Sequence, residues 1–380
     1  MKSEQNNRIG IRTIGRAFLL SNYGSFFQHY ALRKVLTERG YVPYRLENDS
    51  WLKGLGDWLM PVRTLRMKIL SWLHIRHSDV RLLGLDYLFG YSRFLADYHR
   101  LIGRVFENQD LLKTVACVAG GDQIWSSMQP ADFLLGMDSV PVRLSYAVSA
   151  GWCDRVGNEH WEHCLQEAGR VFCALGVREN AGVEICRRLA PQAEVARVAD
   201  PVFLLSDKEW LSLLPARKAL KRKTLLAYLV KVENRQQLNL DNLEKTAAAL
   251  GCELKVIGVQ GAQYFLPRSI RLSPGPVDFL SCYRDADYVI TNSFHGLVFA
   301  AVLGKKLAFV EQHAASYGNQ NARQIELLDR LGLQKRHLPM EASSAELARV
   351  LSADCDFDKL KFVIAQERDQ SLAWLVSHLP

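Results

Sequence analysis

Short apolar runs alternate along this chain with longer stretches whose apolar residues recur every three to four positions, the signature of strands and helices in turn. Runs at Arg8–Leu20, Tyr41–Leu46, Val115–Ala119, Leu144–Val148, Val171–Val177 and Val195–Val198 predict strands. Helices are predicted over Phe26–Arg39, Asn158–Gly169 and Ala181–Leu189, and Ser206-Asp-Lys-Glu209 predicts a capping box opening a short helix that ends near Leu214. A second series follows Pro215. It has strands at Leu225–Val230 and Leu254–Val259, helices at Leu238–Leu250 and Pro276–Arg284, and a strand, turn, helix and strand between Asp287 and Glu311.

Alternation of this kind builds parallel sheets covered by helices on both faces. The expected fold class is α/β, with two doubly wound Rossmann-like domains facing a cleft. The expected boundaries are 1–214 for the first domain, with a helical insertion at about 51–100, 215–342 for the second, and 343–380 for a C-terminal helical tail. Pro215 to Thr224, with five basic residues and no acid, reads as the linker. Ligands of such sheets lie beyond the carboxyl ends of the strands, where helix N-termini suit anions.

Composition narrows the class. The chain has 380 residues, 48% hydrophobic and 23% charged, which excludes disorder and leaves ample material for cores. Met1-Lys-Ser-Glu-Gln-Asn-Asn-Arg8 lacks the apolar centre of a signal peptide, and no charge-free apolar run reaches membrane-spanning length, so a cytoplasmic protein is expected. The eight cysteines include no CxxC pair and predict reduced thiols, without a zinc site or disulfide framework. Net charge is +8, and residues Trp51 to Arg81 hold six basic and two acidic residues beside an apolar stripe containing Trp72. This stretch suits contact with an anionic membrane at its inner face, or a helical hairpin packed on its own domain. The other basic residues are spread over several elements without a recognised module, which argues against nucleic acid.

Candidate chemistry gathers at the predicted strand ends. Asn292 and Ser293 form the turn after Tyr288–Thr291, and His295, in the first turn of the next helix, is the residue there suited to proton transfer near neutral pH. Gly120-Gly-Asp-Gln-Ile-Trp-Ser-Ser127 reads as a polar loop: Asp122 and Gln123 can hydrogen-bond sugar hydroxyls, and Trp125 can offer a stacking face. Arg178, at another strand end, can bind phosphate or carboxylate in two-point fashion or pair with Glu179. The Ser21–Ser25 turn brings Asn22 and Tyr23 to the same edge.

The landmarks Asn22-Tyr-Gly24 with Gln28, Gly121-Asp-Gln-Ile-Trp125, Ser145-Tyr-Ala147, Val177-Arg-Glu179, Asp200-Pro201, Thr291-Asn-Ser-Phe-His-Gly296, and Arg323 before Leu327-Leu328 resemble the polysaccharide pyruvyl transferase family in identity and order. The resemblance spans about Gly10 to Leu333 and implies a GT-B-like fold. It also implies transfer of pyruvate from phosphoenolpyruvate onto saccharide hydroxyls as a ketal, in cell-surface polysaccharide biosynthesis, with phosphoenolpyruvate as co-substrate and neither cofactor nor metal. On that footing His295 and Asp122 are the catalytic candidates, His295 as proton donor or phosphate partner and Asp122 as the group that positions or deprotonates an acceptor hydroxyl. Arg178, Arg323, Ser293 and Asn292 are the donor-binding candidates, and Asn22, Tyr23, Gln123 and Trp125 the acceptor-binding ones, for a saccharide that is free or lipid-linked. Phe26, Phe27 and His29 are bulkier than the family's usual residues and point to an altered acceptor pocket. Two rivals remain open, a nucleotide-sugar-dependent glycosyltransferase and a non-catalytic saccharide-binding partner.

Overall fold

A computed structural model describes residues 7–13, 22–46, most of 93–102, 113–127, 129–151, 155–216, 222–259, 262–313 and 321–380. The basic stretch from Trp51 to Arg81 lies outside these residues, as do the second half of the predicted first strand and part of the linker after Pro215. Strands β1 (Arg8–Arg12), β2 (Val42–Arg45), β3 (Thr114–Gly120), β4 (Val142–Val148), β5 (Ala174–Val177) and β6 (Val195–Arg197) form one sheet in the order β2-β1-β3-β4-β5-β6. Strands β7 (Lys223–Leu229), β8 (Cys252–Gly258), β9 (Arg271–Leu272), β10 (Tyr288–Thr291), β11 (Lys306–Val310) and β12 (His337–Leu338) form another, ordered β12-β11-β10-β7-β8-β9. Every pairing in both sheets is parallel, so the chain comprises two doubly wound Rossmann-like domains.

The helices start where side chains can satisfy their free amides. Helix α1 (Tyr23–Glu38) begins at Asn22, whose Oδ1 accepts from the Ser25 amide at 3.1 Å. The predicted turn at Ser21–Ser25 is therefore corrected: Tyr23, Gly24 and Ser25 form the first helical turn, because the cap lies at its start. Asn158 caps α2 (Glu159–Val171), which takes the first residue of the predicted fifth strand, so that β5 starts only at Ala174, and α3 (Asn180–Leu189) follows. The Ser206–Glu209 capping box is present at α4 (Asp207–Leu211). The predicted helix at Leu238–Leu250 is instead two pieces, α5 (Arg235–Leu238) and α6 (Leu240–Ala249), broken where Asn239 takes φ 51°.

In the second domain Pro276 opens α7 (Pro276–Asp285), Ser293 caps α8 (Phe294–Val302), and α9 (Ala322–Arg330) follows β11. Register sets Thr291 opposite Tyr228 and Phe309, so the chain leaves β7, β10 and β11 at one level. The tail forms α10 (Ser344–Ser352) and the 21-residue α11 (Phe357–Ser377). Helix α11 lies against the first sheet: Ser371 Oγ accepts from the Ala199 amide at 2.8 Å, and Glu367 pairs with Arg197 of β6 and Arg330 of α9. Among the described residues no helix is long and apolar enough to cross a membrane.

One aromatic core joins the domains. Phe27 of α1 is fully buried, its ring edge-on to Trp210 (5.4 Å between centroids) and to Phe299 of α8 (4.8 Å). Tyr23 stacks on Phe279 of α7 at 4.4 Å, and its hydroxyl donates to the Pro274 carbonyl at 2.7 Å. Helix α1 thus carries apolar side chains from the first sheet into the second domain and holds the strand ends of both halves toward one crevice. Phe27→Ala should lower the unfolding free energy by about 3–5 kcal/mol, read as an earlier chemical-denaturation midpoint.

Candidate functional site

Doubly wound sheets bind ligands where the connections from two adjacent strands leave toward opposite faces of the sheet. In the first sheet that point lies between β1 and β3, and in the second between β7 and β10. Chemistry-bearing side chains meet at both.

In the first domain, Gly121 (φ 74°) and Asp122 (φ 51°) turn the chain sharply after β3, and a Cβ on Gly121 would lie 2.9 Å from the Gln28 side chain. Hydrogen bonds fasten this turn to the end of β4, from the Gly121 amide to the Tyr146 carbonyl and from the Ser149 amide to the Asp122 carbonyl, both 2.8 Å. Arg178 follows β5 and is 1% exposed. Its Nε donates to Glu179 at 2.9 Å, its Nη1 to Asp200 Oδ2 at 3.0 Å, and its Nη2 stands 3.8 Å from Asp122. The pairing with Glu179, one of two readings open from sequence, is thus made. Asp200 follows β6, and the same Oδ2 also accepts from Gln28 Nε2 at 2.6 Å.

The second domain brings His295 to that oxygen. Its Nε2 lies 3.5 Å from Asp200 Oδ2, and a Cβ on Gly24 would overlap its ring, so only glycine lets α1 pass this close. The preceding residue, Phe294, lies beneath two guanidinium groups, Arg178 at 4.1 Å and Arg323 at 5.8 Å from its ring centroid. Lys231 follows β7 on the same edge, with φ 57°.

Electrostatics match this geometry. Burial would raise the Asp200 carboxyl, but His295, Arg178 and the Val202 amide outweigh it and hold the group well below the usual carboxylate range. Asp122 is likewise held down, with His295, Arg178 and Arg323 overcoming burial. Burial and then Arg178 lower Arg323, and burial and then Arg323 lower Lys231. The arrangement can hold an anion beside an imidazole.

Among residues singled out from sequence, His295, Asp122, Arg178 and Arg323 converge. Trp125 does not, and the expected stacking face is corrected: it is fully buried, stacked on Phe133 at 4.9 Å, with Nε1 donating to the Asp132 carbonyl. Tyr23 and Phe27 are likewise spent in the core between the domains, Phe26 is buried there against Phe27 and Phe94, and His29 is buried with its Nδ1 3.3 Å from Thr13 Oγ1. Asn22 caps α1, and Gln123 stays partly exposed in the loop after β3. Asn292 uses both ends of its amide on Val230, and Ser293 Oγ accepts from the Gly296 amide, so these two side chains shape the turn. Gln28, Asp200, Phe294 and Lys231 were not singled out as site residues. The signal available for Asp200 was Asp-Pro directly after a strand, an Asp that caps a turn through the Val202 amide.

A family model described as Polysaccharide pyruvyl transferase matches residues 22–313. Comparison with curated proteins gives no match. Solved structures with a similar fold include a putative UDP-N-acetylglucosamine 2-epimerase from Listeria monocytogenes, with TM-score 0.55 and 10% identity over 98% of this chain and 96% of that one. Arabidopsis thaliana UGT89C1 complexed with UDP-L-rhamnose gives TM-score 0.51 and 12% identity over 97% and 94%. UDP-GlcNAc 2-epimerase from Neisseria meningitidis bound to UDP-GlcNAc gives 0.51 and 10% over 97% and 98%. At such identity the likeness concerns the fold alone, which is GT-B-like.

Two outcomes test the site's construction. Asp200 titrates lower folded than unfolded, where an Asp has a pKa of about 3.9, so its stabilisation is complete above about pH 5 and is lost as pH falls toward the folded value. Asp200→Asn should cost about 3–5 kcal/mol at neutral pH and lessen the drop in melting temperature between about pH 5 and pH 3. Gly24→Ala should displace His295, shifting the ring's NMR resonances while the protein stays folded.

Proposed function

Because the chain belongs to the polysaccharide pyruvyl transferase family, we propose that it moves pyruvate from phosphoenolpyruvate onto two hydroxyls of a saccharide as a ketal, in the making of a cell-surface polysaccharide. The observation that carries this reading is the single carboxylate oxygen of Asp200 shared by Arg178 from one domain and His295 from the other. Acid and anion-binding groups thereby stand within one donor's reach.

In this mechanism protonated His295 delivers its proton to the methylene carbon of the enol phosphate, and positive charge develops at the neighbouring carbon. A first saccharide hydroxyl adds there and gives up its proton, with Asp122 as the positioned acceptor. The carbon–oxygen bond to phosphate then breaks, phosphate leaves with its electron pair and the proton taken by Asp122, and a second hydroxyl adds and gives its proton to the now neutral His295 to close the ketal. Arg323, with Nη2 of buried Arg178, holds the donor's phosphate and carboxylate. Phosphoenolpyruvate is the co-substrate, and the sequence of steps uses no cofactor.

The acceptor fits a free or lipid-linked saccharide presented on the cytoplasmic side, and the basic segment Trp51–Arg81 supports a contact with the membrane's inner face. Incubation with phosphoenolpyruvate and a panel of saccharides should release phosphate only when the acceptor is present. Nucleoside diphosphate released from a sugar nucleotide instead would mark a glycosyltransferase. His295→Gln, with an unchanged circular dichroism spectrum, should lower kcat by about 10²- to 10⁴-fold. Full activity would remove the proton-donor role.

A further inference from the structure

The turns that close the second sheet's edge are joined by a relay of side-chain amides. Asn292 Oδ1 accepts from the Val230 amide at 2.7 Å, and its Nδ2 donates to the Val230 carbonyl at 3.0 Å. Gln312 Nε2 donates to the Asn292 carbonyl at 2.7 Å. Asn321 then grips Gln312 from both sides, its Oδ1 accepting from the Gln312 amide at 2.8 Å and its Nδ2 donating to the Gln312 carbonyl at 3.1 Å. The relay fixes what comes next along each segment: Lys231 after Val230, Ser293 to His295 after Asn292, and Arg323 after Asn321.

Lys231 is the member of this set without an assigned task. It stands at the switch point between β7 and β10, directly after a residue clamped on both backbone groups. Its φ of 57° is a left-handed conformation that non-glycine residues seldom adopt. Burial lowers its ammonium first, and Arg323 then adds to that effect while Asp122 opposes it, so the group feels charges from both halves of the crevice. Lys231 beyond β7 and Arg323 on α9, which follows β11, stand at the same edge of the second sheet. A carbon chain bearing one phosphate and one carboxylate answers two such cations.

We propose that Lys231 is a donor-binding residue that, with Arg323, takes the anionic groups of phosphoenolpyruvate from the second-domain side of the crevice. The inference rests on the pyruvyl-transfer reading and adds to it a contact from β7.

Lys231→Met removes the charge at similar length, and Lys231→Arg keeps it. The methionine variant should raise KM for phosphoenolpyruvate by about 10- to 100-fold, leave the acceptor KM within about twofold, and keep the melting temperature of the parent. The arginine variant should recover most of the loss. In the unaltered protein, saturating phosphoenolpyruvate should protect Lys231 from amine acylation, followed by mass spectrometry of the peptide. If the methionine variant matches the parent in both constants, or changes only the acceptor KM, Lys231 is not a donor contact. Should that variant fail to fold, unchanged acylation of Lys231 under saturating donor overturns the inference equally. A parent protein that neither binds nor turns over phosphoenolpyruvate would instead remove the pyruvyl-transfer reading itself.

Discussion

A buried carboxylate, one of whose oxygens is shared by three side chains, governs this molecule. Asp200 is almost wholly removed from water, as is Arg178, and neither charge is tolerable there alone. Their mutual pairing, together with Glu179 on Arg178 and Gln28 on Asp200, makes both burials affordable. Four segments are positioned as a result: α1 through Gln28, the ends of β5 and β6 through Arg178 and Asp200, and the start of α8 through His295. Since α8 belongs to the second sheet and the others to the first, the charge network also sets the relation between the domains at the point where chemistry is proposed.

Around that network the apolar core works in the same direction. Phe27, Trp210, Phe279 and Phe299 form one aromatic cluster to which both domains contribute, and α11 returns to the first sheet through Ser371, Glu367 and buried Leu375. Each domain has a core of its own as well, but this shared one needs residues from both. Positional order at the crevice is therefore inherited from packing some distance away, and the amides of Asn292, Gln312 and Asn321 add a local brace on the second side.

Much of this was legible from residue order because the signals were local. Tyr288 to Thr291 followed by a capping Ser293 specified strand, turn and helix, and the Ser206 box marks a helix start where the structure has it. Two-residue edge strands such as β9 and β12 carry too few positions to show any periodicity. Side-chain destination was the harder matter. A tryptophan beside Asp122 and Gln123 reads as an open platform until Phe133 is known to lie across it, and Asn292 reads as a ligand until Val230 is known to occupy both its ends. Asp200 and Gln28 are 172 positions apart in the chain, and no local pattern reports that they touch.

The shared aromatic seam has a consequence for attempts to recombine this enzyme with its relatives. A hybrid taking one half from elsewhere would meet α1 with a foreign surface in place of Phe279 and Phe299, leaving Phe27 and Tyr23 over gaps or in collision. Exchange of acceptor preference by transplanting a whole half must therefore carry α1 together with α7 and α8, and grafts confined to the loops beyond the strands of the first sheet would leave that seam intact.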